Sequence, residues 1–447
     1  MDDDFGRGTM GGMSLFRKKK PRVYGVMDVG SDAIKALIFE RPGAAPRTNG
    51  DTAGAMVPRP IEKFVWDLPD QYTGTRLVRK IREGVLRMTQ GLEKVPEQIF
   101  IAVGPTVAEC ALRTWRAVPD PGAGGTILTR RDIRTMYHDL FAQQTDRRRA
   151  VITVPVELQI NGYPLAWQEN WFSDAVLPRA RVREVAFRTL SLFMPVDSGA
   201  LFAEIQQALG GMPIEFIPLA AAYTEAIVAG LGVRDAFVAD IGGNETALLL
   251  VRHGRLAYAA FIPYGTRRAA ETLARKMKCS FRESQAVLRH YAAGLPGSSP
   301  RPSRPRQYVG AENAGAAAHI AEEPLPGAPE HDADNGKAPE SPAAALEAAA
   351  ERWKALFVHA LDSFAAAGPL PPDLFLTGGA ARFQEFRAAV QAPDWMGTVS
   401  YAAAPTLRIL DGASFFGGNT LGGYLQGPED AGLAALVVYA TAHRPLF

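Results

Sequence analysis

Two aspartates about two hundred residues apart, Asp28 and Asp240, each sit near the end of an apolar run and shortly before glycine. The runs are Val23-Tyr24-Gly25-Val26-Met27-Asp28-Val29-Gly30-Ser31-Asp32 and Phe237-Val238-Ala239-Asp240-Ile241-Gly242-Gly243-Asn244-Glu245-Thr246. A carboxylate at a strand end suits Mg²⁺, which keeps several waters and takes one or two carboxylates. Glycines beside it let the backbone come close and aim successive N–H groups at phosphate oxygens. Gly30-Ser31 and Gly242-Gly243-Asn244 have that composition, and Lys35 adds a point charge if it reaches back to the turn. A lone Asp-x-Gly is more often an ordinary hairpin. Two of them, with Leu376-Thr377-Gly378-Gly379-Ala380 further on, form a specific combination. Two such tips facing each other would clamp a polyphosphate and its metal from both sides.

The elements that must position these tips follow from hydrophobic spacing. Each aspartate strand continues through a glycine turn into a second apolar strand, Ala33 to Glu40 and Ala247 to Arg252, so each pair is expected to be a hairpin. Third strands are expected over Ile61 to Trp66 and Leu256 to Pro263. Leu77, Ile81, Val85 and Met88 predict a helix from Thr75 to Gly91, with strand Gln98 to Gly104 after it. Strand-like runs over Ala108 to Val118 and Ala150 to Ile160 flank a polar helix from Thr129 to Gln144, in which Asp132 suits the first turn. Strand Val185 to Pro195, helix Ser198 to Leu209, strand Ile214 to Pro218 and helix Ala220 to Leu231 complete the first half. In the second half Gly265-Thr266 opens a helix through Met277, and Ser280-Phe281-Arg282-Glu283 has the spacing of a capping box. Leu346, Trp353, Phe357 and Leu361 mark another helix, stopped at Gly368-Pro369, and Pro428 to Ala442 a last apolar one.

With 447 residues, nearly half of them hydrophobic, the chain is long enough for two or more domains. A net charge of +2 gives no sign of a nucleic-acid partner. Cys110 and Cys279 have no metal-ligand spacing and fit packed thiols in a reducing compartment. No apolar run has the length of a bilayer span, and no signal-peptide core stands at the N-terminus. The expected location is the cytoplasm. The tail around Leu15-Phe16-Arg17-Lys18-Lys19-Lys20 has two readings, a solvated lead-in to the first strand or a weak contact with anionic lipid, and Met10 and Met13 are alternative starts. Residues 296 to 345 are rich in Pro, Ala, Gly and Ser and bury too little to offset their ordering entropy, so a disordered loop is expected.

Taken together, these motifs resemble the actin-like ATPases, and among them most nearly the FtsA family of bacterial division proteins. The residues carrying the resemblance are Asp28 to Lys35, Asp240 to Thr246, Phe261-Ile262-Pro263-Tyr264-Gly265, Ser280 to Ser284, Leu376 to Ala380 and the helix from Pro428. The resemblance implies an α/β fold of the actin-like type, a duplicated ribonuclease H-like βββαβα unit with an inserted α+β subdomain of the FtsA kind. It implies a first lobe over residues 23–104, 185–232 and 428–442, the insertion at 105–184, and a second lobe at 233–295 and 346–427 that carries nucleotide loops. ATP and Mg²⁺ are the implied cofactors. Asp28, Gly30, Ser31 and Lys35 would form one phosphate loop, and Asp240, Gly242, Gly243 and Asn244 the other, with Asp28 and Asp240 toward the metal. Gly265 would flank the phosphates, and Glu283 and Gln285 would lie near ribose or adenine. Gly378, Gly379, Ala380 and Phe383 would floor the adenosine. Glu283 is also readable as a helix cap, and both roles can hold. Implied partners are the C-terminal peptide of FtsZ, further copies of the chain in filaments or dimers, and the cytoplasmic face of the inner membrane.

Several residues depart from the family pattern. Asn244-Glu245-Thr246 stands in place of Gly-Gly-Thr, Ser31-Asp32 in place of a hydroxyl pair, and Gln285 where many relatives have Glu. Binding survives these changes better than fast hydrolysis does, so at most a slow ATPase is expected, and no residue stands out as the base that would position water. The helix from Pro428 is followed only by His443 to Phe447, without the family's basic amphipathic segment. Membrane attachment is then expected through the N-terminal tail or a partner. That favours a second reading, a PilM-like protein of type IV pilus assembly that binds the tail of an inner-membrane protein. A sugar kinase or chaperone ATPase fits less well, because the insertion at 105–184 is in the wrong place for those relatives.

Overall fold

The computed structural model describes residues 21–41, 57–68, 74–90, 94–105, 108–119, 125–142, 149–165, 181–195, 200, 203–207, 212–294 and 340–442. The basic tail and residues 296–339 of the loop expected over 296–345 lie outside them. So does half of the helix expected over Ser198 to Leu209, of which residues 200 and 203–207 are helical.

Two five-stranded sheets share one plan. The first contains β1 (Arg22–Val29), β2 (Ala33–Arg41), β3 (Arg59–Asp67), β4 (Gln98–Val103) and β9 (Ile214–Pro218), in the order β3-β2-β1-β4-β9. The second contains β10 (Ala236–Ile241), β11 (Thr246–Arg252), β12 (Arg255–Ile262), β13 (Asp373–Thr377) and β14 (Thr406–Ile409), in the order β12-β11-β10-β13-β14. In each, three antiparallel strands are followed by two that run parallel to the first. The parallel strand β4 is buried at every position, as its continuous Gln-Ile-Phe-Ile-Ala-Val run requires of a strand covered on both faces. The duplication is therefore structural, and it puts Asp28 and Asp240 at equivalent ends of equivalent strands.

A third sheet is inserted between β4 and β9. It is built from β5 (Glu109–Ala117), β6 (Arg149–Ile160), β7 (Tyr163–Leu165) and β8 (Val185–Pro195), in the order β5-β8-β6-β7. The sequence places β8 in the first lobe. Instead it is an inner strand of the inserted sheet, because its long apolar alternation pairs with β5 on one side and β6 on the other. Helix Arg130–Ala142 covers one face through Ile133, Met136 and Tyr137. Its start is capped as expected, with the Thr129 N–H donating to Asp132 Oδ2 at 2.7 Å.

Helix Gly74–Thr89 buries Leu77, Val78, Ile81, Val85 and Met88 against the first sheet, the stripe its spacing predicts. In the second lobe, helix Pro342–Leu361 begins at a Ser341 N-cap followed by proline. Its first turn thus lies inside the stretch expected to be a loop to residue 345, since a capped, alanine-rich turn is helical whatever precedes it. Trp353, fully buried on that helix, donates to Thr246 Oγ1 at 2.9 Å, and Thr246 donates on to the Tyr264 carbonyl at 2.7 Å. The helix expected over Ala220 to Leu231 is α-helical at Leu219–Glu225 and widens to a π turn at Ala226–Gly230.

Between β14 and the last helix, Leu421 and Leu425 join the core cluster that contains Phe100, Ile217 and the last helix. That part of 346–427 packs against the first lobe as well as the second, and the Tyr424 carbonyl accepts from Lys63 of β3 at 3.1 Å. Helix Ala431–Ala442 carries no charged residue, and its first ten residues, Ala431 to Ala440, are all buried. It packs on β1, β2 and β4 of the first sheet, inside a cluster that also holds side chains of the second sheet. No helix among the described residues is long and apolar enough to cross a membrane.

Candidate functional site

Both hairpin tips are closed by the same four-residue turn. The Gly30 N–H donates to the Ala33 carbonyl at 3.0 Å, and the Gly242 N–H to the Glu245 carbonyl at 2.9 Å. Both tips line one cleft of about 370 Å³, whose wall includes Asp28, Gly30, Ser31, Lys35, Asp240, Gly242, Gly243, Gly378 and Gly379 among others. Nine of the fifteen candidate residues therefore come together.

Asp28 faces Lys35 in the antiparallel register of β1 and β2, and Asp240 faces Thr377 in the parallel register of β10 and β13. The two carboxylates are close enough to repel each other. Burial, then the Asp28 charge, pushes Asp240 up to about 7, against the pull of the Tyr223 hydroxyl and of Lys35. Asp28 rises to about 6, chiefly through burial, with Lys35 opposing and Asp430 adding. Like charges held apart only by the protein are the donor set that a divalent cation relieves. The residues fit Mg²⁺ in that respect.

The backbone of the third turn is shaped for a close approach. Gly378 has a φ of +86°, and a Cβ there would collide with Asp240 Oδ1 and the Ile241 carbonyl. Only glycine brings that strand end against the Asp240 carboxylate. Gly432, at the start of the last helix, is likewise pressed on Asp28, whose Oδ2 would lie 2.7 Å from an added Cβ.

The polyphosphate side differs from the expectation. The two tips touch: the Asn244 N–H donates to Ser31 Oγ at 2.8 Å, and a Cβ on Gly243 would collide with Ser31 and fall 2.6 Å from Asp32 Cγ. Thr266 Oγ1, at the first position of helix Thr266–Met277, donates to Asp32 Oδ2 at 2.7 Å. The Lys35 ammonium donates to the Glu429 carbonyl and pairs with Asp430 at 3.9 Å, while Lys63 holds the same Asp430 at 2.6 Å. Arg382 pairs with Glu429 at 3.1 Å. Carboxylates dominate the lining, with Asp28, Asp32, Asp67, Asp240, Glu245 and Glu429 against Lys35 and Arg382. A polyphosphate fits this cleft only with its charge offset by a cation and with the tips moved apart.

The remaining candidates lie off the lining. Gly265 packs its Cα on the carbonyls of Gly242 and Gly243, and the Thr266 and Arg267 N–H groups donate to those carbonyls at 2.9 and 2.8 Å. Asn244 is spent on Ser31. Ala380 and Phe383 are buried in the second-lobe core, where the Phe383 ring lies tilted beside Tyr291 and Phe386. The Glu283 carboxylate accepts from the Ser280 N–H at 2.8 Å, completing the capping box, and neither it nor Gln285 lines the cleft. Tyr223, Thr266, Arg382 and Glu429 line the cleft without having been singled out in the sequence. Tyr223 had one local signal, a lone polar aromatic in Ala220-Ala221-Ala222-Tyr223. Cys110 also lines the cleft, where burial and the nearby Glu245 push its thiol up to about 12, so it is an inert packed thiol.

No protein-family model matches the chain, and no curated protein matches it in sequence. Solved structures do. A structure described as the PilM-PilN type IV pilus biogenesis complex superimposes with a TM-score of 0.55 at 14% identity, covering 94% of this chain and 99% of that one. The ethanolamine utilization protein EutJ from Carboxydothermus hydrogenoformans follows with a TM-score of 0.44 at 10% identity, over 93% of this chain and 91% of that one. MreB5 of Spiroplasma citri bound to ADP gives 0.39 at 9% identity, over 94% and 96%. With the duplicated sheets, the likeness to the PilM-PilN structure shows the fold, that of the actin-like ATPases.

Proposed function

We propose that this chain is an actin-like scaffold at the cytoplasmic face of the inner membrane, which binds adenine nucleotide as its Mg²⁺ complex and captures the cytoplasmic tail of a membrane partner, as a PilM-like protein would. The observation that carries the reading is the end-to-end superposition on the PilM complex, in which the share left uncovered is smaller than the inserted sheet. The insertion is braced on the second lobe: Arg255 of β12 pairs with Glu157 of β6 at 3.1 Å, and Arg188 of β8 donates to the Ala257 carbonyl. A subdomain so tied can sense the state of the cleft and present a fixed surface to a partner.

Asp28 and Asp240 would hold the metal, and Gly378 and Gly379 would let the backbone lie against the nucleotide. Bound Mg²⁺ would offset the cleft's carboxylates and the phosphate charge together. The commitments of Lys35 and Asn244 within the chain favour an assembly protein that works through binding rather than turnover.

A second reading, an FtsA-like adaptor that joins FtsZ to the membrane and self-assembles, is favoured by Ser280-Phe281-Arg282-Glu283-Ser284 and its capping box. Fluorescence anisotropy of the purified full chain separates the two. Labelled cytoplasmic peptides of inner-membrane pilus proteins from the same genome are expected to bind, and the FtsZ C-terminal peptide is not. Binding of the FtsZ peptide alone supports the adaptor, and binding of neither overturns both.

A further inference from the structure

Resting on the nucleotide reading above, we propose that the Ser31–Asp32 turn is an internal ligand of the cleft: Asp32 occupies the position of a nucleotide's terminal phosphate, which binds only by displacing it. Three observations converge on this. First, the contact joins the two lobes directly, through Ser31 Oγ to the Asn244 N–H at 2.8 Å and Asp32 Oδ2 to the Thr266 hydroxyl at 2.7 Å. These are the groups that would otherwise face phosphate oxygens.

Second, Asp32 stands at the N-terminus of a twelve-residue helix, where the first-turn dipoles favour an anion. The chain supplies that anion itself. The adjacent Arg267 guanidinium contributes to holding the Asp32 charge, but it lies stacked on Phe281 at 4.6 Å.

Third, the internal ligand is only partly satisfied. Asp32 Oδ1 is buried with no hydrogen-bond partner, and so are Nε and Nη1 of Arg267. A buried polar atom without a partner costs more than a typical bond gains. A phosphate brings more acceptors to the same place than a carboxylate, so a ligand can outcompete Asp32 although Asp32 is tethered. The latch therefore keeps the lobes together when the cleft is empty of nucleotide and releases the Ser31–Asp32 turn when it is filled.

The test measures binding of fluorescent ATP and ADP, each with Mg²⁺, and of fluorescent adenosine to the wild-type chain, Asp32→Ala and Ser31→Ala. Asp32→Ala is expected to bind ATP roughly tenfold tighter, the scale of one charged hydrogen bond and one like charge removed. Adenosine binding should be unchanged. Ser31→Ala should show a smaller gain, and in both variants without ligand the Asn244 amide should exchange hydrogen faster than in wild type. Equal or weaker ATP binding by Asp32→Ala, with wild type binding normally, overturns the latch and leaves the nucleotide reading intact. Failure of all three proteins to bind any nucleotide overturns that reading, and the latch with it.

Discussion

Replacing Asp240 by Asn should make the protein without ligand more stable above neutral pH, an unusual result for a change in a candidate binding cleft. Asp240 ionises near 7 in the folded chain against 3.8 for a free carboxyl, because it is buried beside Asp28. A folded-state value above the unfolded one means that the folded protein holds its proton longer. Asp240's favourable contribution is therefore complete below about pH 4 and is lost as the pH rises through about 7. Between pH 5 and pH 8 that loss amounts to roughly 2 to 3 kcal/mol at about 1.4 kcal/mol per pH interval. Asn keeps the shape and accepts from Tyr223 without the charge, and it frees Asp28 from its repulsive neighbour. Urea denaturation of wild type and Asp240→Asn at several pH values from 5 to 8 measures the difference, since the carboxylates other than Asp28 contribute equally to both. Wild type should lose stability across that window relative to the variant, and Mg²⁺ should restore it to wild type alone at pH 8. Parallel pH profiles for the two proteins would refute the reasoning, because they would mean that Asp240 is solvated or compensated in the folded state.

Three further outcomes follow from the packing. Thr246→Val should cost about 1 to 3 kcal/mol in urea denaturation, because it strands the buried Trp353 Nε1–H, and Trp353→Ala should cost about 3 to 5 kcal/mol through the cavity it leaves. Gly378→Ala should lose about 2 kcal/mol or more through its positive φ and its collision with Asp240, whereas Gly423→Ala, which meets open space in a helical turn, should be neutral or slightly stabilising. A double-mutant cycle on Arg255 and Glu157, both well shielded from solvent, should give a coupling of about 0.5 to 3 kcal/mol in thermal or chemical unfolding, and a value near zero would show that the inserted sheet is not tied to the second lobe by this pair.

The hairpins, their turns and the sheet-covering helices were legible because each is written in local spacing: strand, glycine, strand for the tips, and Leu77 to Met88 for a helix stripe. The capping box at Ser280 was legible for the same reason. What escaped was non-local. Lys35 finds Asp430 from nearly four hundred residues away, and nothing near either residue marks the pairing. β8 belongs to the inserted sheet because of the partners on its two sides, while its own pattern suits either sheet. The short strands Tyr163–Leu165 and Thr406–Ile409 carry too few residues for a period to be read. Within the site, composition identified the glycine turns and the acids but not that Ser31 and Asp32 would bond across the cleft, since contact between two tips depends on how two sheets are set against each other.

The buried helix Ala431–Ala442 also sets an order of events. A ribosome releases β1 about four hundred residues before the helix that covers it. At roughly 5 to 20 residues per second, that is an interval of about 20 to 80 s, far longer than most small domains need to fold. Until it ends, the face of the first sheet that lies opposite helix Gly74–Thr89 lacks its last cover, while the second lobe's own core of Trp353, Phe357 and Phe386 has all its residues before that final helix emerges. The half of the molecule made first is thus the half finished last, and a newborn chain must be sheltered from its neighbours until its final helix arrives.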